Sequence, residues 1–276
     1  MPSGTVLVTG ASSGIGEATA LHLKELGFDP VGAVRKDADA QRLESQGLRT
    51  VKLDVTEAES IAAARASLGD APLAGLVNNA GIAVAGPIEF LPLDELRHQL
   101  EVNVVGQVAV IQAFLGALRA GRGRIVNVSS IGGRFALPLV APYAASKYAL
   151  EAISDSLRRE LLPHGVDVIV IEPGGVKTPI WRKSTETGEE IQAGLPPEAE
   201  QLYGTMVEAL RRRSAEISEK SGIEAREVAE VIGKALSADK PRTRYLVGRD
   251  AKLRGRMLKV VPDRMMDRAI LKQLKG

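Results

Sequence analysis

The feature that most constrains this chain is a repeated change of period. Short apolar runs at Val6 to Val8, Val31 to Val34, Val51 to Leu53, Leu76 to Val77, Ile125 to Val128 and Val166 to Ile171 alternate with longer segments whose apolar residues recur at helical spacing. The helical segments are marked by Ala18, Leu21, Leu23 and Leu26, by Ile61, Ala64 and Leu68, by the stretch from Leu93 to Leu118, and by Tyr143 to Leu162. Short continuous apolar runs are strands covered on both faces, and strands separated by helices pair in parallel. Right-handed crossovers then put helices on both sides of one sheet, so the spacing predicts a single doubly wound α/β domain over residues 1–248. Ligands of such a sheet sit beyond the carboxyl ends of its strands, and chemistry-bearing residues are expected there.

The first strand runs into Thr9-Gly10-Ala11-Ser12-Ser13-Gly14-Ile15-Gly16, with the next helix expected to start at about Gly14. Glycines there allow a tight turn, close approach of backbone to a pyrophosphate and close helix-to-strand packing, and the helix N-terminus supplies free N–H groups. The loop is therefore read as the dinucleotide loop of a Rossmann-like fold, with Gly10, Ser12, Ser13, Gly14, Ile15 and Gly16 as contacts. At the end of the second strand stand Arg35 and Lys36, where an acidic residue would select an unphosphorylated ribose. Two cations favour a 2′-phosphate and thus NADP over NAD. Asp54, beside Val55 after the third strand, is placed to accept from an adenine amino group or to cap a helix.

Tyr143 and Lys147 lie four apart on a helical pattern and so share a face. An ammonium beside a phenol, with an oxidised nicotinamide, moves the phenol toward the working pH range and makes it a usable acid or base. Ser129 and Ser130 end the fifth strand, where a hydroxyl can bond a substrate carbonyl oxygen.

Taken in order, Thr9-Gly-x-x-x-Gly-x-Gly16, Asn78-Asn79-Ala80-Gly81, Asn103, Ser130, Tyr143-x-x-x-Lys147 and Pro173-Gly174 resemble the short-chain dehydrogenase/reductase family over roughly Thr5 to Thr178. Val102 to Gly106 and Gln112 to Leu115 are similar to its hydroxysteroid and retinol dehydrogenase branches. Ser130 fits the family's serine, 13 residues before Tyr143 and followed by Gly132-Gly133, with Ser129 as runner-up. The resemblance implies that Tyr143 delivers a proton to a carbonyl oxygen, Ser130 polarises it, Lys147 lowers the phenol and binds the nicotinamide ribose, and Asn103 holds a relay water. It also implies that Asn79, Ala80 and Gly81 line the adenosine side, that Pro173 and Gly174 border the cofactor, and that Val176 and Thr178 secure the carboxamide. Lys177 between the last two departs from the family pattern.

The residues expected to face substrate are Ile131, Arg134, Phe135, Ala136, Leu137, Tyr143, Ile180 and Trp181, which suit a bulky hydrophobic alcohol or ketone. Residues 177–222 lose strand character and read as a mobile lid, helical from Glu198 to Arg212; a helix from Ala225 to Leu236 and a strand from Arg244 to Val247 follow. Residues 249–276 form a basic amphipathic extension with nine basic and three acidic residues, a charge of +6 against −4 for the rest. It suits a docked helix, with peripheral membrane contact as the bolder expectation. The near-neutral total of +2 gives no reason to expect nucleic acid, and the absence of cysteine excludes disulfides and thiolate chemistry and fits a cytoplasmic location. Met1-Pro2-Ser3-Gly4 leads straight into a strand without the pattern of a signal peptide, and no run of apolar residues reaches membrane-spanning length. His22, His98 and His164 are expected away from the site, and no metal is expected. Apolar residues on more than one face of the long helices predict a homodimer or homotetramer. The competing reading is a non-catalytic NADP(H)-binding sensor or scaffold.

Overall fold

Val6, Leu7 and Val8 are all fully buried, yet they belong to two different cores. Val6 and Val8 pack with Leu23 and Ile232 on one side of the sheet, while Leu7 packs with Phe114 and Leu118 on the other. Alternate side chains of a strand point to opposite faces, so this division is what a strand sandwiched between two helical layers requires. The computed structural model describes residues 3–258 and 260–274.

The elements follow in the order β1 (Thr5–Thr9), α1 (Gly14–Glu25), β2 (Asp29–Val34), α2 (Asp37–Ser45), β3 (Arg49–Lys52), α3 (Ala58–Ser67), β4 (Leu73–Asn78), α4 (Leu93–Leu100) and α5 (Gly106–Gly121). The second half comprises β5 (Arg124–Val128), α6 (Ala141–Leu161), β6 (Asp167–Pro173), α7 (Pro179–Ala193), α8 (Pro197–Glu216), α9 (Ala225–Ser237), β7 (Arg244–Val247), α10 (Arg249–Met257) and α11 (Asp263–Leu274). The strand order is β3-β2-β1-β4-β5-β6-β7, parallel throughout. Strand order reverses between β1 and β4, and the crevice opens there.

Three expectations need correction. The stretch from Leu93 to Leu118 is not one regular helix, because a π turn at Glu101–Val105 separates α4 from α5. The composite helix of residues 93–121 is also long and apolar enough to cross a membrane, but Val110, Ile111, Phe114 and Leu118 bury its apolar side against the sheet. Residues 177–222 are more helical than expected: α8 contains the expected Glu198 to Arg212 helix, α7 precedes it and a π turn at Ile217–Ser221 follows. Pro197 opens α8, at a position where its missing N–H and fixed φ cost nothing.

The C-terminal helices dock on the body. Ala251 of α10 and Met266 of α11 are buried with Ile131 and Phe135, and Met257, Val261 and Ile270 pack around them.

Candidate active site

The ends of β1 and β4 are tied together at the switch point. The Thr9 hydroxyl oxygen accepts from the N–H groups of Asn79 (2.9 Å) and Ala80 (3.0 Å), and the Asn79 amide donates back to the carbonyls of Thr9 (3.0 Å) and Gly10 (3.2 Å). Gly14 turns the chain into α1 with φ at +58°, where a side chain is strained. Gly16 is demanded by contact, since a Cβ there would lie 2.2 Å from the Gly10 carbonyl oxygen. Ser13 caps α1 only with its backbone, and its hydroxyl makes no capping bond. The first N–H groups of α1 thus remain for an anion, so the loop fits a dinucleotide pyrophosphate.

A cleft of about 610 Å³ runs from this loop across the strand ends. Of the expected cofactor contacts, Gly10, Ser12 to Ile15, Arg35, Asp54, Val55, Asn79 to Gly81, Tyr143, Lys147, Pro173, Gly174, Val176 and Thr178 all line it. Gly16 acts from behind through packing. Lys36 does not line the cleft: it is exposed and its backbone caps α2, so Arg35 is the cation of that pair that faces the site. Arg35 Nη1 stands 3.7 Å from Asp54 Oδ2. Burial works against the Asp54 carboxylate, but the N–H and hydroxyl of Thr56 and the Arg35 guanidinium prevail and hold it below the usual aspartate range.

Ser130, Tyr143 and Lys147 meet at the far end of the cleft. Ser130 caps the short 3₁₀ turn Ile131–Gly133, its Oγ accepting from Gly132 N–H at 3.0 Å, which turns the hydroxyl toward Tyr143 and away from the core. Ser129, though it also borders the cleft, keeps its Oγ buried against Gly133 on the Glu151 side. Lys147 Nζ donates to the Val128 carbonyl at 2.8 Å and lies 5.8 Å from the Tyr143 ring centroid. Burial pulls the Lys147 ammonium down to about 8, with Glu151 opposing. Burial pushes the Tyr143 phenol above its ordinary value against the pull of the Ser130 hydroxyl. In the chain without its cofactor, desolvation thus outweighs the Ser130 hydroxyl and the phenol sits high instead of low.

Asn103 lies in the π turn, fully buried, and does not line the cleft. Its amide donates to Ile82 O and Ser146 Oγ, both at 3.0 Å, and its Oδ1 accepts from Ile82 N–H at 2.9 Å. Both amide hydrogens are thus committed to protein partners. Gln99 and Gln107, one turn to either side, bond Val84 N–H, Ile82 O and Ala80 O. Three buried amides at four-residue spacing therefore hold the cleft-lining segment 80–84. That spacing is visible in the sequence, although only Asn103 stands in the family pattern. Arg42 was also missed: it donates to Ser12 O at 2.6 Å and pairs with Glu17, bracing the glycine loop from α2.

The substrate side departs more from expectation. Tyr143, Ile180 and Trp181 line the cleft, and the Trp181 ring meets Tyr143 edge-on with centroids 6.1 Å apart. Ile131 and Phe135 instead face the core under α10 and α11, Leu137 packs against that core, and Arg134 pairs with Glu172, because the 3₁₀ turn is tucked beneath the C-terminal helices. Ala136 is exposed and lines no part of the cleft. His98 and Glu95 of α4 do border the cleft, so His98 is not remote from the site. Trp181 and Ser184 are shared with a second, apolar chamber of about 240 Å³ between the body and helices α7 and α8, lined by Leu139, Val140, Val207 and Leu210 among others.

Comparison with known proteins agrees with this geometry. Residues 4–189 match the family model described as short chain dehydrogenase. The chain is 37% identical over 281 residues to an NADPH-dependent 3-dehydrocapnine reductase of Ornithobacterium rhinotracheale, covering 98% of this chain and 96% of that one. It is 39% identical over 273 residues to human retinol dehydrogenase 16, covering 95% and 86%. A short chain dehydrogenase from Burkholderia cenocepacia, solved in complex with NADP, superposes with a TM-score of 0.75 at 28% identity over 97% of this chain and 96% of that one. A family match that takes in the glycine loop, Ser130, Tyr143 and Lys147, joined to relatives alike over nearly the whole length, makes this chain an oxidoreductase of the short-chain dehydrogenase/reductase family, in its retinol dehydrogenase-like branch.

Proposed function

We propose that the protein is an NADP-dependent reductase or dehydrogenase that interconverts a bulky, hydrophobic ketone and its secondary alcohol. The observation that carries this reading is the placement of a buried Tyr143 beside Ser130 and Lys147 and against Trp181, which borders both the cleft and the apolar chamber. When bound, NADPH supplies the hydride, and the N-terminus of α1 with Gly10, Ser12 and Thr178 would hold it. Ser130 Oγ donates to the substrate carbonyl oxygen and orients it. Tyr143, whose phenol is kept protonated by burial, gives its proton to that oxygen as negative charge develops there. Lys147 then stabilises the phenolate, and in alcohol oxidation the same groups act in reverse. Trp181 and the apolar wall exclude water, while precise placement supplies most of the remaining advantage. Asn103 contributes by holding segment 80–84.

Arg35 supports NADP, since its guanidinium borders the cleft where a 2′-phosphate would lie. The relatives' names, one NADPH-dependent and one a retinol dehydrogenase, support the same cofactor and an apolar substrate. The test is oxidation of NADPH and NADH with retinal, steroid ketones, diketones and small aromatic ketones. Turnover favouring NADPH and the larger apolar carbonyls is expected. Preference for NADH overturns the role of Arg35, and tight NADPH binding with no turnover on any carbonyl favours a sensor.

Two surfaces bear on partners. The outer faces of α10 and α11 set Leu253 and Met265 among the exposed basic residues Lys252, Arg256, Arg264 and Arg268, which supports peripheral contact with an anionic bilayer. Co-sedimentation with phosphatidylglycerol vesicles that persists after truncation at 248 would rule the tail out. Exposed Leu93, Val105, Tyr148 and Leu162 support a homodimer or homotetramer, which a monomeric mass by light scattering at micromolar concentration contradicts.

A further inference from the structure

Behind the catalytic residues lies a group of charges that the proposed reaction leaves unused. Glu172, on β6 just before Pro173 and Gly174, is fully buried; one carboxylate oxygen is 3.3 Å from Arg134 Nη1 and the other 3.3 Å from Arg244 Nε. Arg244, the first residue of β7, directs its Nε–H to Glu151 Oε2 at 3.1 Å, places Nη2 3.1 Å from the same oxygen, and reaches Asp155 with Nη1 at 3.0 Å. The alignment favours Glu151, so Glu172 Oε1 feels Arg244 as a charge and not as a hydrogen-bond donor. Glu151 in turn lies one helical turn beyond Lys147 on α6. Arg134, Glu172, Arg244, Glu151 and Lys147 thus form a run of alternating sign. It links the segment after Ser130, the cleft-lining end of β6, and the helix that carries Tyr143 and Lys147.

Burying this many charges gains little stability over apolar packing, and removing one partner leaves the next uncompensated. What the run supplies beyond stability is negative charge close to Lys147. The Lys147 hydrogen bond to Val128 O provides no counter-charge, and burial favours the neutral amine. We propose that Glu151 is a positioning residue for Lys147, clamped by Arg244 and backed by Glu172 and Arg134, and that its carboxylate, one turn along α6, supplies the counter-charge that the buried ammonium otherwise lacks. Burial, with Glu172, pushes the Glu151 carboxyl above its ordinary range against the Ser129 hydroxyl and Arg244, so releasing the Arg244 clamp would raise it further and weaken the counter-charge. The other ionisable groups facing this run are Tyr143 ahead of Lys147, Asp155 behind Glu151 and paired with Arg158, and Tyr148 near Arg134.

The proposal rests on Lys147 acting in the reaction described above, but its test does not require turnover. The full-length protein carrying ¹³Cε-labelled lysine is titrated by NMR, with Lys147→Met identifying the Lys147 signal. Glu151→Gln keeps an acceptor for Arg244 while removing the charge, and is expected to lower the Lys147 midpoint by about one pH unit or more. Arg244→Gln, on a different element, is expected to shift it in the same direction by releasing Glu151 to take up a proton. For carbonyl reduction, the pH profile of kcat should move with the midpoint, while KM changes less than about twofold, as expected for a group remote from substrate. An unmoved Lys147 midpoint in folded Glu151→Gln, or in folded Arg244→Gln where the first variant does not fold, overturns the proposal, even if activity falls equally at every pH. A shifted midpoint in a protein that reduces no carbonyl overturns the functional reading and leaves the hold of Glu151 on Lys147 standing.

Discussion

The two walls of the cleft are built differently. The cofactor wall is made at the ends of β1 to β4 by backbone and by short bonds between neighbouring strand ends, such as those joining Thr9, Gly10, Asn79 and Ala80. The substrate wall is made by side chains on α7 and α8, with α11 packed against α8 and residues from the loop before α6. Backbone geometry at a strand end leaves little room for variation, so the first wall suits a ligand shared by many enzymes. Side chains on packed helices can change one at a time, so the second suits a ligand particular to this one.

Gly16→Val is expected to have the largest effect on the first wall: any Cβ collides with the Gly10 carbonyl, so NADPH affinity by fluorescence titration should fall more than about 100-fold. Near-normal affinity would show that this wall is more plastic than its contacts imply. Phe135→Ala sharpens the contrast from the other side. Its ring packs with Ile131, Ala251 and Met266, so denaturant unfolding should reveal a loss of about 3 kcal/mol, with KM for a ketone substrate unchanged. A raised KM at unchanged stability would return Phe135 to the pocket. Arg35→Ser should weaken NADPH by about tenfold or more while leaving NADH within about threefold, and equal losses for both cofactors would deny the 2′-phosphate contact.

The smallest expected effect concerns pH. Because the folded protein lowers Lys147 to about 8 from 10.5, the unfolded chain binds more protons between those values, and stability rises with pH across that window. Tyr143 is shifted upward, so its opposing contribution begins only near pH 10. Between pH 8 and 9.5 the wild-type protein should therefore gain about 1 to 2 kcal/mol relative to Lys147→Met in parallel denaturant melts. Parallel curves for the two proteins would place Lys147 in a more solvated setting than its burial indicates.

The same contrast decides what could be read from the sequence. Strand and helix order, the glycine loop, Ser130, Tyr143 and Lys147 were legible because period and local motif determine them. Ile131, Phe135 and Leu137 were misplaced because they face helices more than 100 residues later in the chain, which no local pattern announces. The surroundings of Lys36 and Asn103 were not legible for a similar reason. The turn of α2 directs Lys36 away from the cleft, and the π turn sinks Asn103 into a bonded pocket with Ile82 and Ser146. Arg42 and Glu151 carry no signal of their own, since each acquires its part only through a partner on another element.

The most direct test of the proposed chemistry pairs two readings on Tyr143→Phe: NADPH affinity, and single-turnover reduction of the best ketone found. Loss of the phenolic proton should slow reduction by about a thousandfold while affinity stays within about threefold of wild type. Reduction at an undiminished rate would contradict the assignment of Tyr143 as the proton donor.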